Sequence, residues 1–139
     1  MAFIYRRVVR LADTDAAGVV YFSRILEMCH EAYEAALADA GIDIGEMLRN
    51  GAVLLPIVRA EADYLQPLTY GQDLIISLRP QSIDETEFAL SYEVTFLPAR
   101  LAVRAQTRHV CVHSRQKWRM SLPESLARWL LRAAAESSL

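Results

Sequence analysis

Between Tyr21 and Ala40 the apolar residues stop alternating and recur at three- and four-residue steps. Ile25, Leu26, Met28, Cys29, Ala32, Tyr33, Ala36, Leu37 and Ala40 form one broad apolar helical face, with Glu27, Glu31, Glu34 and Asp39 largely off it. Gly41 is placed to cap the C-terminal end. A helix this long must bury that face against another layer, and most of the remaining chain reads as strand. Phe3–Arg10 is rich in β-branched and aromatic residues, and Ile44–Arg49 is a short second helix ended by Asn50-Gly51. "AVLLPIVRAEADYLQP" predicts one long strand with a bulge or edge position at Pro56. "YGQDLIISLRPQSID" predicts another, and "TEFALSYEVTFL" a third with Phe88, Leu90, Tyr92, Val94 and Phe96 on one side. "LAVRAQTRHVCVHS" is the last, and Pro123 opens a C-terminal helix carrying Leu126, Trp129, Leu130 and Ala133. Consecutive strands joined by short turns favour antiparallel pairing. The expectation is an α+β fold, an antiparallel sheet wrapped around one long helix, in a single domain over 1–139.

A chain of 139 residues can bury about two-thirds of its unfolded surface. With 53% hydrophobic residues and few Gly or Pro, long disorder is not expected. A net charge of −2 argues against nucleic acid or an anionic membrane surface as the main partner. Cys29 and Cys111 are too few for a disulfide framework, so reduced thiols and a cytoplasmic setting are expected. "MAFIYRRVVR" lacks the apolar core of a signal peptide, and no apolar run nears the roughly 20 residues that span a bilayer.

Asp13 and Asp15 stand just ahead of the long helix, with Gly18 behind them. Acids there can cap free N–H groups and complement the helix dipole. Asp15, however, lies too far before Tyr21 to be a simple N-cap. Gly18 marks a backbone needing positive φ or close approach of a ligand. The alternative is chemical. Helix N–H groups can hold a carbonyl oxygen while a carboxylate attacks the carbonyl or activates a water. That is an acyl-transfer site without serine, cysteine or metal.

Other constellations have plainer readings. "HEAYE" (His30, Glu31, Glu34) resembles the start of a zinc-protease motif without its second histidine and reads as structural or solvated. His109, Cys111 and His113 are expected on one strand face, with no metal or nucleophile role assigned. Arg59, Arg79, Arg100, Arg104, Arg108 and Arg115 read mainly as solvated strand faces, although Arg104 and Arg108 could hold phosphates.

"DTDAAGVVYF", between a first strand and a long helix, resembles the signature of hotdog-fold acyl-CoA thioesterases of the 4-hydroxybenzoyl-CoA thioesterase family. The "DYLQP" and "YGQDL" stretches extend the resemblance over nearly the whole chain. "LADTDAAGVVYF", "MCHEAYE" and "RAQTRHVCV" are very similar to the cyanobacterial branch of that family, which acts on 1,4-dihydroxy-2-naphthoyl-CoA in phylloquinone synthesis. The resemblance implies an acyl-CoA substrate, no cofactor, and dimers formed by joining sheets, often paired into tetramers, with sites at the dimer interface. It places catalysis on Asp15 and the carbonyl-binding backbone N–H on Phe22, with Asp13, Gly18 and Tyr21 supporting. A short-chain or hydroxybenzoyl substrate, and a non-catalytic acyl-CoA-binding protein, are the alternatives. Two departures matter. Tol–Pal-associated relatives carry histidine where this chain has Phe22. The basic run before the fourth strand of the 4-hydroxybenzoyl enzyme is "DETEF" here, so the CoA-contacting residues stay open.

Overall fold

The central helix is stopped at its C-terminal end by a feature local to its sequence. In the computed structural model, which describes residues 2–137, α1 spans Phe22–Asp39. Its apolar stripe is buried at Ile25, Met28, Cys29, Ala32, Tyr33, Ala36 and Leu37, and Leu26 and Ala40 pack at the margin. Gly41 stops it with φ +77°. The Gly41 N–H donates to Ala38 O at 3.0 Å and Ile42 N–H to Leu37 O at 2.9 Å, closing the last turn with two buried apolar residues, Leu37 and Ile42. A second helix, α2 (Ile44–Asn50), starts where the Asp43 carboxylate accepts the Glu46 N–H and ends at left-handed Gly51.

The α1 stripe lies against one antiparallel sheet. Its strands are β1 (Phe3–Val8), β3 (Ile57–Tyr64), β4 (Asp73–Asp84), β5 (Glu87–Phe96) and β6 (Arg100–Val110), in the order β1-β4-β5-β6-β3. Strand alternation sets the face presented to α1. Leu74, Ile76 and Leu78 of β4, Phe88, Leu90, Tyr92 and Val94 of β5, and Val103, Ala105, Thr107 and His109 of β6 are all buried. The C-terminal helix α3 (Glu124–Ser137) adds Leu126, Trp129 and Leu130 to the same core, and Trp129 meets the rings of Tyr33 and Phe88. Among the described residues no helix is long and apolar enough to cross a membrane. The outermost positions of the expected 1–139 domain lie outside the described residues.

Two expected strands are divided. The long strand through Pro56 is a short β2 (Val53–Leu54) and then β3, because the chain leaves one sheet for another at Leu55-Pro56. β2 pairs with β7 (Val112–His113), not with the main sheet. The last strand likewise breaks at Cys111, whose N–H donates to Thr86 O while its carbonyl accepts the Met120 N–H. His109, Cys111 and His113 therefore do not share one strand face. His109 sits in the core, and His113 belongs to the small sheet, where its Nδ1 accepts the Arg115 and Gln116 N–H groups.

At one edge of the main sheet, β3 is exposed along almost its whole length, including Ile57, Val58 and Tyr64. An open, partly apolar edge of this kind invites another strand.

His109 is the least expected core residue. Its ring is 1% exposed, stacks on Phe88 at 4.8 Å and lies 4.9 Å from Tyr33. Nε2 pairs with the Thr107 hydroxyl at 2.8 Å, Thr107 pairs with Tyr92, and Nδ1 is buried with no partner among the described residues. Burial, with a smaller push from His30, lowers its pKa from 6.5 to about 4. The unfolded chain then binds this proton more tightly than the native one. The stabilisation is complete above pH 6.5 and is lost as pH falls toward about 4. In urea titrations the native state should lose up to about 3 kcal/mol more than the His109→Gln variant across that window. Identical pH dependence in the two proteins would contradict this.

Candidate active site

The loop between β1 and α1 separates the two aspartates physically. After a single 3-10 turn at Leu11–Asp13, the chain doubles back through a small hairpin. The Asp15 N–H donates to Val19 O at 2.9 Å and the Gly18 N–H to Asp15 O at 3.0 Å, with Gly18 at φ +82°. A Cβ added at Gly18 would meet nothing within 4 Å. The glycine therefore serves the turn's backbone geometry, and no neighbouring protein atom among the described residues requires it for a close approach. Val20 N–H donates to Leu68 O at 2.8 Å, which fastens the hairpin to the loop that follows β3.

Asp13 faces inward and is 3% exposed. Its carboxylate accepts the Arg10 N–H at 2.7 Å and two bonds from the Arg7 guanidinium at 2.5 and 3.1 Å. Burial alone would raise its pKa, but Arg7 and the Arg10 N–H outweigh burial and hold it below the usual carboxylate range. Its carbonyl accepts the Tyr21 N–H at 2.9 Å, so the same residue fixes where α1 begins. Arg7 also grips Glu31 of α1 through Nε at 2.7 Å and Nη2 at 3.2 Å, and Tyr5 donates to that carboxylate. The hydrogen bond to Asp13, then the contacts with Glu31, raise the guanidinium pKa.

Asp15 faces outward. One carboxylate oxygen accepts the Ala17 N–H at 2.8 Å, and the other has no partner among the described residues. Neither acid caps α1. The N-cap is Tyr21, without a side-chain cap, and the first turn holds no acidic residue. Arg24 N–H turns back to Tyr21 O at 2.9 Å, which leaves the Phe22 and Ser23 N–H groups without an acceptor among the described residues. Uncapped N–H groups at the positive end of an 18-residue helix can stabilise negative charge developing on a carbonyl oxygen brought to them.

Asp15 and this helix start border one cleft of about 410 Å³. Its other walls are Val19, Tyr21, Phe22 and Ile25 on one side and Tyr64, Leu65 and Leu68 on the other. Phe22 and Tyr21 are both exposed, and their rings meet at 4.8 Å. The structure thus brings Asp15, Tyr21 and Phe22 to one cleft, and sets Asp13 behind it and Gly18 in the turn. Sequence reasoning did not single out Arg7 or Tyr64, and read Glu31 as structural or solvated without finding its partner Arg7. For Arg7 a signal was present, because alternation in "FIYRRV" puts it on the face of Phe3 and Tyr5. Tyr64 and Glu31 carried none, since their partners are fixed only by the fold.

The remaining candidates lie elsewhere. His30 is exposed and meets Tyr33 edge-on, and Glu34 is also exposed. Among the described residues no three His, Cys, Asp or Glu side chains are placed to hold a metal. Burial pushes the Cys29 thiol up to about 12 and raises that of Cys111. Arg104 faces Glu93 at 3.8 Å, and Arg108 is paired with Glu87, so each already has a carboxylate. In "DETEF", Asp84 holds the Thr86 turn, and Glu87 anchors Arg108 and Arg119.

Comparison with known proteins agrees with this architecture. Residues 9–130 match the Thioesterase-like superfamily. The 1,4-dihydroxy-2-naphthoyl-CoA hydrolase of Trichodesmium erythraeum is 44% identical over 133 residues, covering 94% of this chain and 96% of that protein. The protein of the same name from Nostoc punctiforme is 45% identical over 130 residues, covering 94% and 87%. The crystal structure of a 1,4-dihydroxy-2-naphthoyl-CoA thioesterase from Synechocystis superposes with a TM-score of 0.91 at 36% identity, covering 94% of this chain and 96% of that one. The sheet-wrapped helix and these matches together place the chain in the thioesterase-like superfamily of hotdog-fold proteins.

Proposed function

We propose that this protein hydrolyses the thioester of an aromatic acyl-CoA, and that its substrate is 1,4-dihydroxy-2-naphthoyl-CoA, giving 1,4-dihydroxy-2-naphthoate and CoA for phylloquinone or menaquinone synthesis. The observation that carries the chemistry is the cleft shared by the outward carboxylate of Asp15 and the uncapped start of α1. The relatives' names carry the substrate. Tyr21, Phe22 and Tyr64 offer flat walls to a fused ring.

In this reading the thioester carbonyl oxygen points at the Phe22 N–H. As the tetrahedral intermediate forms, negative charge moves onto that oxygen, where the helix start stabilises it. Asp15 acts in one of two ways. It attacks the carbonyl carbon and gives an acyl anhydride that water then opens, or it takes a proton from a water that attacks directly. In both, the C–S bond breaks and the thiolate leaves as CoA after protonation. Asp13 supports by holding the loop through Arg7, Gly18 by allowing the turn, and Tyr21 by starting the helix. The open β3 edge suits pairing with a second copy, in a homodimer or homotetramer whose sites lie at the dimer interface, in the cytoplasm.

Thiol release from a panel of naphthoyl, hydroxybenzoyl and acetyl CoA esters tests the assignment. The naphthoyl ester should give the highest kcat/KM, and an acetyl ester turned over as well would overturn the substrate. Asp15→Asn should lower the rate about 100- to 10,000-fold. Full rates in that variant would remove Asp15 from the chemistry, and a wild type that binds without turnover would make the protein a non-catalytic binder.

The two aspartates should also part in stability. Asp13→Asn leaves Arg7 short of a buried charge partner and should cost about 3 kcal/mol in denaturant unfolding. Asp15→Asn keeps the oxygen that accepts the Ala17 N–H and should stay within about 0.5 kcal/mol of the wild type. Equal losses would contradict the division of roles. Sedimentation should find twice or four times the chain mass, and a monomer at micromolar concentration would contradict the β3 pairing.

A further inference from the structure

Tyr64 does more than line the cleft. It ends the edge strand β3, on the face that looks toward α1, opposite Val103 of β6. Its hydroxyl donates to the Phe22 carbonyl at 2.9 Å, spanning 42 residues of sequence to reach the first turn of the helix. Burial, and then Cys29, raise the pKa of this phenol, which keeps the proton in place as a donor.

The Phe22 carbonyl and the Ser23 N–H belong to one peptide unit. Within the helix that carbonyl already takes the N–H four residues on. A second donor from Tyr64 fixes the plane of the unit and polarises it, because hydrogen bonds in a chain strengthen one another. The Ser23 N–H is one of the two at the helix start with no acceptor among the described residues. We propose that Tyr64 is a positioning residue for the thioester carbonyl, acting through the Phe22–Ser23 peptide and making the Ser23 N–H a second carbonyl-binding donor beside that of Phe22. The inference rests on the thioesterase reading above. It also ties the strand expected to meet a partner subunit to the turn that binds the carbonyl.

Tyr64→Phe removes the hydroxyl and keeps the ring, so the fold and the cleft wall stay. A transition-state hydrogen-bond contribution of ordinary size predicts that kcat falls about 2- to 10-fold, with KM within about twofold of the wild type. Tyr64→Leu, which also removes the ring, should add a rise in KM. A second readout needs no turnover. In the Asp15→Asn background, Raman difference spectroscopy of a bound acyl-CoA with a ¹³C carbonyl reports carbonyl polarisation. Adding Tyr64→Phe should move that stretch back toward its frequency in solution. An unchanged kcat, a KM effect alone, or an unmoved carbonyl stretch would each overturn the proposal. A wild type that binds the ester but does not hydrolyse it would remove the activity and leave Tyr64 to be judged on the carbonyl stretch.

Discussion

One largely buried guanidinium joins the three segments that make the site. Arg7 uses all five of its N–H donors: a fork to Asp13, a fork to Glu31, and a bond to the Val8 carbonyl. Through Asp13 it holds the loop that carries Asp15. Through Glu31 it holds the helix whose start faces that loop, and through its own backbone it holds the edge of the sheet. A buried pair of this kind adds modest net stability, but removing one partner leaves a charge stranded and costs about 3–5 kcal/mol. The arrangement fixes geometry more than it adds free energy.

That lock explains why two neighbouring acids have different fates. Asp13 points inward, where arginine and backbone donors satisfy it completely. Asp15 is turned outward by the Gly18 hairpin, with one oxygen tied to the Ala17 N–H and the other without a partner among the described residues. The helix start stays uncapped between them. Free N–H groups at a helix end are ordinarily satisfied by a side chain or by solvent. Here they border a largely apolar cleft beside a carboxylate, the arrangement on which the proposed thioester chemistry rests.

Much of this was legible in the sequence, for identifiable reasons. α1 was readable to within a residue or two because its apolar stripe runs for five turns and Gly41 punctuates it. β4 and β5 followed from alternation. The Pro56 signal was seen, but its effect was larger than a bulge, since β2 leaves for a separate sheet. The break at Cys111 carried no Gly or Pro, because its cause is a pair of hydrogen bonds to distant segments. At the site, the sequence reading paired an acid in the Gly18 loop with the helix start, and the family resemblance singled out Asp15, Tyr21 and Phe22; the structure brings those three to one cleft. Glu31 and Tyr64 were not, because their partners lie 24 and 42 residues away in sequence.

The central claim is that a thioester carbonyl sits between the Asp15 carboxylate and the first turn of α1. A crystal structure with a stable ketone analogue of the naphthoyl-CoA ester, methylene in place of sulfur, tests it most directly. The account predicts the carbonyl oxygen about 3 Å from the Phe22 N–H. It also predicts an Asp15 oxygen about 3–3.5 Å from the carbonyl carbon, or one water away. An acyl group bound outside this cleft, or a carbonyl turned away from the helix start, would contradict it.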